Sequence, residues 1–337
     1  MRPEQEPVGR PNALGRQPKK AGPRTKRAGA RRRSLRERVT AWWRAALPAP
    51  VERAGSPPSA ERRSKITAVA GPTVDELPAP TAASRSATQT RVAELVWGKG
   101  YLAPGGAQRV VDLVKPLGLS PAVTLLELGA GPGGSSQAIA ARFGSYVSAF
   151  AADSHHAEMA VQFAVAHDLD KKISVRSLDT AGLNLKPNYF QGAFIHDHIH
   201  LLQDKGKLLQ EVARSIKPRG RVVISDLFSA ADALGPAAKA WTGNHVSPVH
   251  LCTGERLKAD LKACGLDTSI CEDESDAYLE LALDAWGEFL RTPDAASLPA
   301  ALHKPMLQGA ECWNRLLAAI RSGDVRCLRI EAIKVRG

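Results

Sequence analysis

The sequence predicts an α/β protein built on a doubly wound, mostly parallel sheet. Two observations carry this reading. Short apolar runs alternate with amphipathic stretches from about residue 123 to residue 226, and a cluster of glycines follows the first apolar run.

The elements follow in order. A helix ending at Trp97-Gly98 and a second over Ala107 to Leu117 precede the alternating part. Strand Val123–Leu128 leads to helix Gly134–Phe143, strand Tyr146–Ala152 to helix His155–His167, and strand Ile173–Ser177 to strand Gly192–His196. Helix Lys205–Ile216 and strand Arg221–Asp226 complete the alternation. Crossovers between parallel strands are right-handed, so the helices must cover both faces of the sheet. Helix Thr253–Cys264, strand Thr268–Glu272 and long helical stretches from Ala277 to about Arg321 come next. The final run, Val325–Val335, alternates as a half-exposed edge strand does. Residues 86–337 are therefore read as one domain, with a helical insertion at about 290–322.

Charge is spread unevenly. The 337 residues carry a net charge of +12, but residues 1–65 hold 18 Lys and Arg against 5 Asp and Glu. The remainder is close to neutral, so the basic character belongs to the tail. Such a tail suits anionic partners, nucleic acid or a membrane surface. Residues 1–33 lack hydrophobic periodicity and are expected to be disordered. Ser34 to Leu47 differ, because Leu35, Val39, Trp42 and Ala46 recur at helical spacing among arginines. A short basic amphipathic helix of this kind can lie peripherally in a membrane interface, or pack on its own domain. Residues 48–85, rich in Pro, Ala and Ser, read as linker, so that 1–85 form a tail. The cysteines, Cys252, Cys264, Cys271, Cys312 and Cys327, are odd in number and form no C-x-x-C pair. That argues against a disulfide framework or zinc site and fits a cytoplasmic location.

The chemistry starts at Glu127-Leu128-Gly129-Ala130-Gly131-Pro132-Gly133-Gly134. Glycines there permit positive φ and let the backbone approach a ligand closely. Gly129, Gly131 and Gly134 also satisfy the dinucleotide pattern G-x-G-x-x-G, so a dehydrogenase must be weighed. Asp153, at the end of the second strand, can accept hydrogen bonds from both ribose hydroxyls. Glu127 can help hold a cationic methionyl end, and Asp179 lies within reach of an adenine amino group.

With Ser215-Ile216-Lys217-Pro218-Arg219-Gly220 before Arg221-Val222-Val223-Ile224, the chain resembles class I S-adenosylmethionine-dependent methyltransferases. Arg219 stands where that class usually has a glycine. Gly98 to Gly106, Phe194 to Lys205 and Cys271 to Tyr278 resemble the phosphoethanolamine N-methyltransferases and related small-molecule enzymes, with Asp197 on the family's aspartate. The likeness spans about Val96 to Leu290. It implies a Rossmann-like, seven-stranded sheet with an antiparallel last strand. It also implies S-adenosylmethionine as cofactor, contacted by Glu127, Gly129, Ala130, Gly131, Gly133, Asp153, Ser154, Asp179 and Asp197. The family's histidine four residues after its aspartate falls on Leu201.

Methyl transfer requires positioning, exclusion of water and, for many acceptors, removal of a proton. His196, His198 and His200 share one side if the fourth strand extends that far. As a zinc triad they lack a fourth ligand, and no metal is expected. His198 and His200 are the candidates for a substrate contact or base, with Tyr101 and Trp97 as candidates for a lid. His245 and His250 come after these. The expected acceptor is a small molecule or lipid head group, with N-methylation favoured. A nucleic-acid methyltransferase is disfavoured by the near-neutral domain and by the missing Asn/Asp-Pro-Pro-aromatic motif. A non-catalytic cofactor-binding scaffold is the third reading.

Overall fold

The computed structural model describes residues 82–178, 183–292, 295 and 297–335, together with Val39. The expected helix over 34–47, apart from Val39, and the expected adenine contact Asp179 lie outside these residues.

Helices α1 (Ala82–Trp97) and α2 (Gly106–Val114) precede the sheet. Then come β1 (Thr124–Leu128), α3 (Gly134–Phe143), β2 (Tyr146–Ala151), α4 (Ser154–Ala166), β3 (Ile173–Ser177) and β4 (Phe190–His196). They are followed by α5 (Lys205–Ser215), β5 (Ile216–Ser229), α6 (Pro236–Thr242), α7 (Gly254–Ala263) and β6 (Leu266–Asp273). The chain continues through α8 (Ser275–Arg291), α9 (Ala300–Arg321) and β7 (Val325–Lys334). The seven strands lie in the order β3-β2-β1-β4-β5-β7-β6. β1 to β5 pair with one another in parallel, and β7 is antiparallel to both β5 and β6.

Chain order reverses between β1 and β4, which lie side by side although two strands separate them in sequence. The crevice outside the carboxyl ends of those two strands is the switch point at which open α/β sheets bind ligands. Side-chain alternation along β1 decides what faces that crevice. Leu126 and Leu128 pack with Ile195, Leu209 and Ile224 on one face of the sheet. Leu125 faces the other way, packing with Val110, Ile139 and Phe194, and Glu127 shares its side. A third cluster joins α1, α6, α8 and α9 through Val96, Trp97, Trp241, Trp286, Met306 and Leu316.

Two expectations are corrected here. The last strand is not an edge: β7 lies between β5 and β6, and β6 forms the edge, with most of its residues exposed. The polar residues of that alternation are used between strands, with Arg329 Nη2 2.5 Å from Glu272 and Arg326 Nη1 2.8 Å from Asp273. The three histidines do not share a face either. β4 stops at His196, Asp197 takes a φ of +46°, and a 3-10 turn at Ile199–Leu201 follows.

The Lys217-Pro218 turn sits inside the span of β5, where pairing with β4 skips from Ile216 to Arg221. Arg219 adopts φ +65° there, a conformation that favours glycine. Gly220 allows the return, because a Cβ would lie 2.8 Å from the carbonyl oxygens of Gln191 and Lys217.

Candidate active site

The glycine loop is held from below and above. Gly129 and Ala130 both donate their backbone N–H to the Phe150 carbonyl at the end of β2, at 3.1 and 3.2 Å. From above, Gly134 N donates to Gly100 O at 3.0 Å, and the Tyr101 hydroxyl donates to Gly134 O at 2.9 Å. Gly133 starts α3 at φ +102°, where an added Cβ would lie 2.8 Å from Ala160 Cα in α4. Its role is close packing of the two helices. Gly129, Ala130 and Gly131 instead line a cavity of about 280 Å³ at the switch point.

Of the expected cofactor contacts, Asp197 lines that same cavity. Glu127 does not: it is fully buried, accepts a hydrogen bond from the Ser136 hydroxyl, and lies 3.1 Å from His196 Nε2. Asp153 caps α4, its Oδ1 accepting the His156 N–H at 2.8 Å and its Oδ2 lying 2.9 Å from His156 Nδ1. About half of its side chain is nevertheless exposed. Ser154 is the exposed first residue of α4.

Beyond β4 the loop is organised by a residue the sequence reading passed over. Asp226, on β5, is fully buried. Its Oδ2 accepts N–H bonds from His198 at 2.7 Å and Ile199 at 2.6 Å. Its Oδ1 accepts from Leu227 N at 2.7 Å and lies 2.6 Å from His200 Nδ1. A second tie comes from Lys205, whose ammonium donates to Leu202 O at 2.7 Å and His250 O at 2.6 Å. A carboxylate ending an apolar strand beside the glycine loop was the available signal for Asp226.

The three histidines meet different fates. His200 lines the cavity, and with Nδ1 engaged by Asp226 its Nε2 is the nitrogen left for a ligand. Burial pushes its pKa down, but the charge and hydrogen bond of Asp226 outweigh that and raise it. Asp226 is lowered in turn, burial being overcome by His200. His198 is buried away from the cavity lining, and its Nε2 has no hydrogen-bond partner. Burial lowers its pKa to about 4, so it is neutral at ordinary pH. The backbone of Gly129 explains the position, since a Cβ there would lie 3.1 Å from His198 Cβ.

His196, stacked on Phe194 with ring centroids 4.5 Å apart, lies between Glu127 and Asp197. Burial lowers its pKa, but hydrogen bonds to Asp197 and Glu127 prevail and lift it to about 9. A histidine whose folded pKa is raised from 6.5 contributes stability below pH 6.5 and loses it as pH rises through about 9. The lost contribution is of order 3 kcal/mol. The melting temperature of the chain should fall across that window, and His196→Gln should flatten the fall; an unchanged slope in the variant contradicts this assignment.

Tyr101 lines the cavity as a neutral phenol, because burial and then Glu127 raise its pKa to about 12. Trp97, the other lid candidate, is core: it is buried against Trp286 and Trp313, at centroid distances of 6.1 and 4.4 Å. The 290–322 segment reaches the site, for α9 places Cys312, Trp313 and Leu316 in the cavity wall. Trp241, Tyr278, Arg109 and Ser225 join them, none of which the sequence reading selected. His245 also lines the cavity, whereas His250 contributes only backbone to the His200 loop.

A seven-stranded sheet with this strand order, an antiparallel β7 and a glycine loop at the β1–β4 crevice is the architecture that the resemblance to class I S-adenosylmethionine-dependent methyltransferases implies. In agreement, residues 126–224 match the family described as a methyltransferase domain. The chain is 25% identical over 203 residues to phosphoethanolamine N-methyltransferase 1 of Zea mays, an alignment covering 60% of this chain and 39% of that protein. It thus spans well under half of the length of that relative. Among solved structures it is similar to Haemonchus contortus phosphoethanolamine N-methyltransferase 2 in complex with phosphomonomethylethanolamine and S-adenosylhomocysteine. The TM-score is 0.67 at 20% identity, covering 73% of this chain and 57% of that one. Geranyl diphosphate C-methyltransferase from Streptomyces coelicolor superposes at a TM-score of 0.53 and 18% identity, covering 67% of this chain and 77% of that one. These structural likenesses concern the fold.

Proposed function

We propose that the chain is an S-adenosylmethionine-dependent methyltransferase acting on a small molecule or lipid head group, with nitrogen as the favoured acceptor atom. The observation that carries this is that one cavity is lined both by Gly129, Ala130 and Gly131 and by Asp197 and His200. Cofactor and acceptor can meet there.

The cradle fits the cofactor. Gly129 and Gly131 have φ of +92° and +51°, and at Gly129 a Cβ would collide with the His196 carbonyl. Glycine at 129 thus lets the loop close on the end of β4, and both glycines line the cavity. The backbone at residues 129–131 would hold the cofactor, with Asp153 able to reach its ribose. Bound there, S-adenosylmethionine supplies an electrophilic methyl group on a sulfonium. The remaining tasks fall to the protein. His200 Nε2 positions the acceptor or takes its proton, and Asp226 fixes the ring through Nδ1. Tyr101, Trp241 and α9 exclude water from the site.

Methyl label from S-adenosylmethionine should appear on an acceptor in a small-molecule cell extract, independently of added RNA. Turnover that requires RNA and collapses with salt supports the nucleic-acid reading instead. Contact of the basic stretch 34–47 with an anionic membrane surface is a separate proposal, resting on its charge and its two tryptophans. It predicts salt-sensitive sedimentation with anionic liposomes, and equal sedimentation without residues 1–60 contradicts it.

A further inference from the structure

The charges around the cavity bear on what the acceptor can be. Arg109 lines it, but its Nη2 lies 2.9 Å from Glu274 Oε2. Glu274 also receives Arg329 Nε at 3.0 Å, and Arg329 in turn meets Glu272 and Glu331. His196 sits between Glu127 and Asp197, and His200 rests on Asp226. Of the charged side chains in the cavity lining, Arg109 is thus already paired with Glu274, while Asp197 stands 3.7 Å from His196 Nδ1.

Asp197 is the carboxylate that the cavity wall presents, with 37% of its side chain exposed. Most of the surrounding wall is apolar, formed by Leu102, Leu201, Trp241, Trp313 and Leu316. A phosphomonoester carries nearly two negative charges and is ordinarily held by uncompensated or bidentate cations. This wall offers it compensated ones. An ammonium, by contrast, gains from a carboxylate and from aromatic faces.

We propose that the acceptor is an amine on an apolar body, its nitrogen held at Asp197 and its body against Trp241, Trp313 and Leu316, and that phosphate-bearing head groups are refused. This rests on the methyltransferase reading above. The amine must first lose one proton, which neutral His200 Nε2 can take. The nitrogen lone pair then forms the N–C bond while the C–S bonding pair returns to sulfur, leaving a neutral thioether. The positive charge passes to the methylated nitrogen, which sheds a further proton to solvent.

The test uses the full chain saturated with S-adenosylhomocysteine, titrated calorimetrically with 2-phenylethylamine, phosphoethanolamine, sarcosine and uncharged 2-phenylethanol. The amine should bind at least about tenfold tighter than phosphoethanolamine or sarcosine. Asp197→Asn should weaken the amine by about tenfold and leave 2-phenylethanol unchanged. Phosphoethanolamine or sarcosine binding as tightly as the amine overturns the proposal. So does an amine that shows no binding at millimolar concentration, or an equal loss for amine and alcohol in the variant. Failure of the chain to bind S-adenosylhomocysteine in the first step overturns the methyltransferase reading instead.

Discussion

Asp226→Asn will lower the melting temperature by roughly 10 °C, since loss of a buried charge partner costs about 3–5 kcal/mol in a domain of this size. Asp226 is fully buried and accepts bonds from four backbone N–H groups and one imidazole. An amide has one acceptor oxygen, and its NH₂ would point at donors. The loop carrying Asp197 and His200 would lose its anchor. Because Asp226 also raises the pKa of His200, the variant's imidazole should deprotonate at lower pH. Turnover should drop by about 100-fold, as for loss of a positioned acid–base group, with the rise in its pH profile shifted toward acid. A melting temperature within 2 °C of the parent, or an unmoved pH profile, contradicts the role given to Asp226.

Gly129→Ala should have the larger effect on ligand binding. At φ +92° an alanine is strained, and its Cβ would collide with the His196 carbonyl oxygen. The turn could relieve this only by parting β1 from the end of β4, where the cavity opens. Affinity for S-adenosylhomocysteine should fall by more than about 100-fold, consistent with several kcal/mol of strain. Gly118→Ala is the matched control. It too has a positive φ, +59°, but a Cβ there meets nothing within 4 Å. It should cost about 1 kcal/mol of stability and leave binding intact. Equal binding by both variants contradicts the placement of the ligand against Gly129.

The parts of this account legible in the sequence are those set by local rules. Alternation of strand and helix gave β1 to β5 with ends within a few residues, except that β5 starts five residues early at the Lys217-Pro218 turn. The glycine loop was legible because positive φ is written into residue identity. What could not be read depends on partners distant in the chain. Asp226 gains its meaning only when β5 lies beside β4 and the loop folds back onto it. Arg326 and Arg329 look like solvent-facing charges of an edge strand until β6 pairs beside them and Asp273 and Glu272 meet them. Trp97 is an aromatic beside the site in sequence, but two tryptophans from α8 and α9 enclose it. The bonds of Glu127 to Ser136 and His196 were likewise illegible, because they depend on α3 and β4 packing beside β1.

The central claim is that the β1–β4 crevice is an S-adenosylmethionine site. Calorimetric titration of S-adenosylhomocysteine into the purified chain tests it most directly. The account predicts saturable binding at one site per chain, accompanied by a rise in melting temperature that grows with ligand concentration. Absence of both heat and thermal stabilisation at millimolar ligand would contradict it.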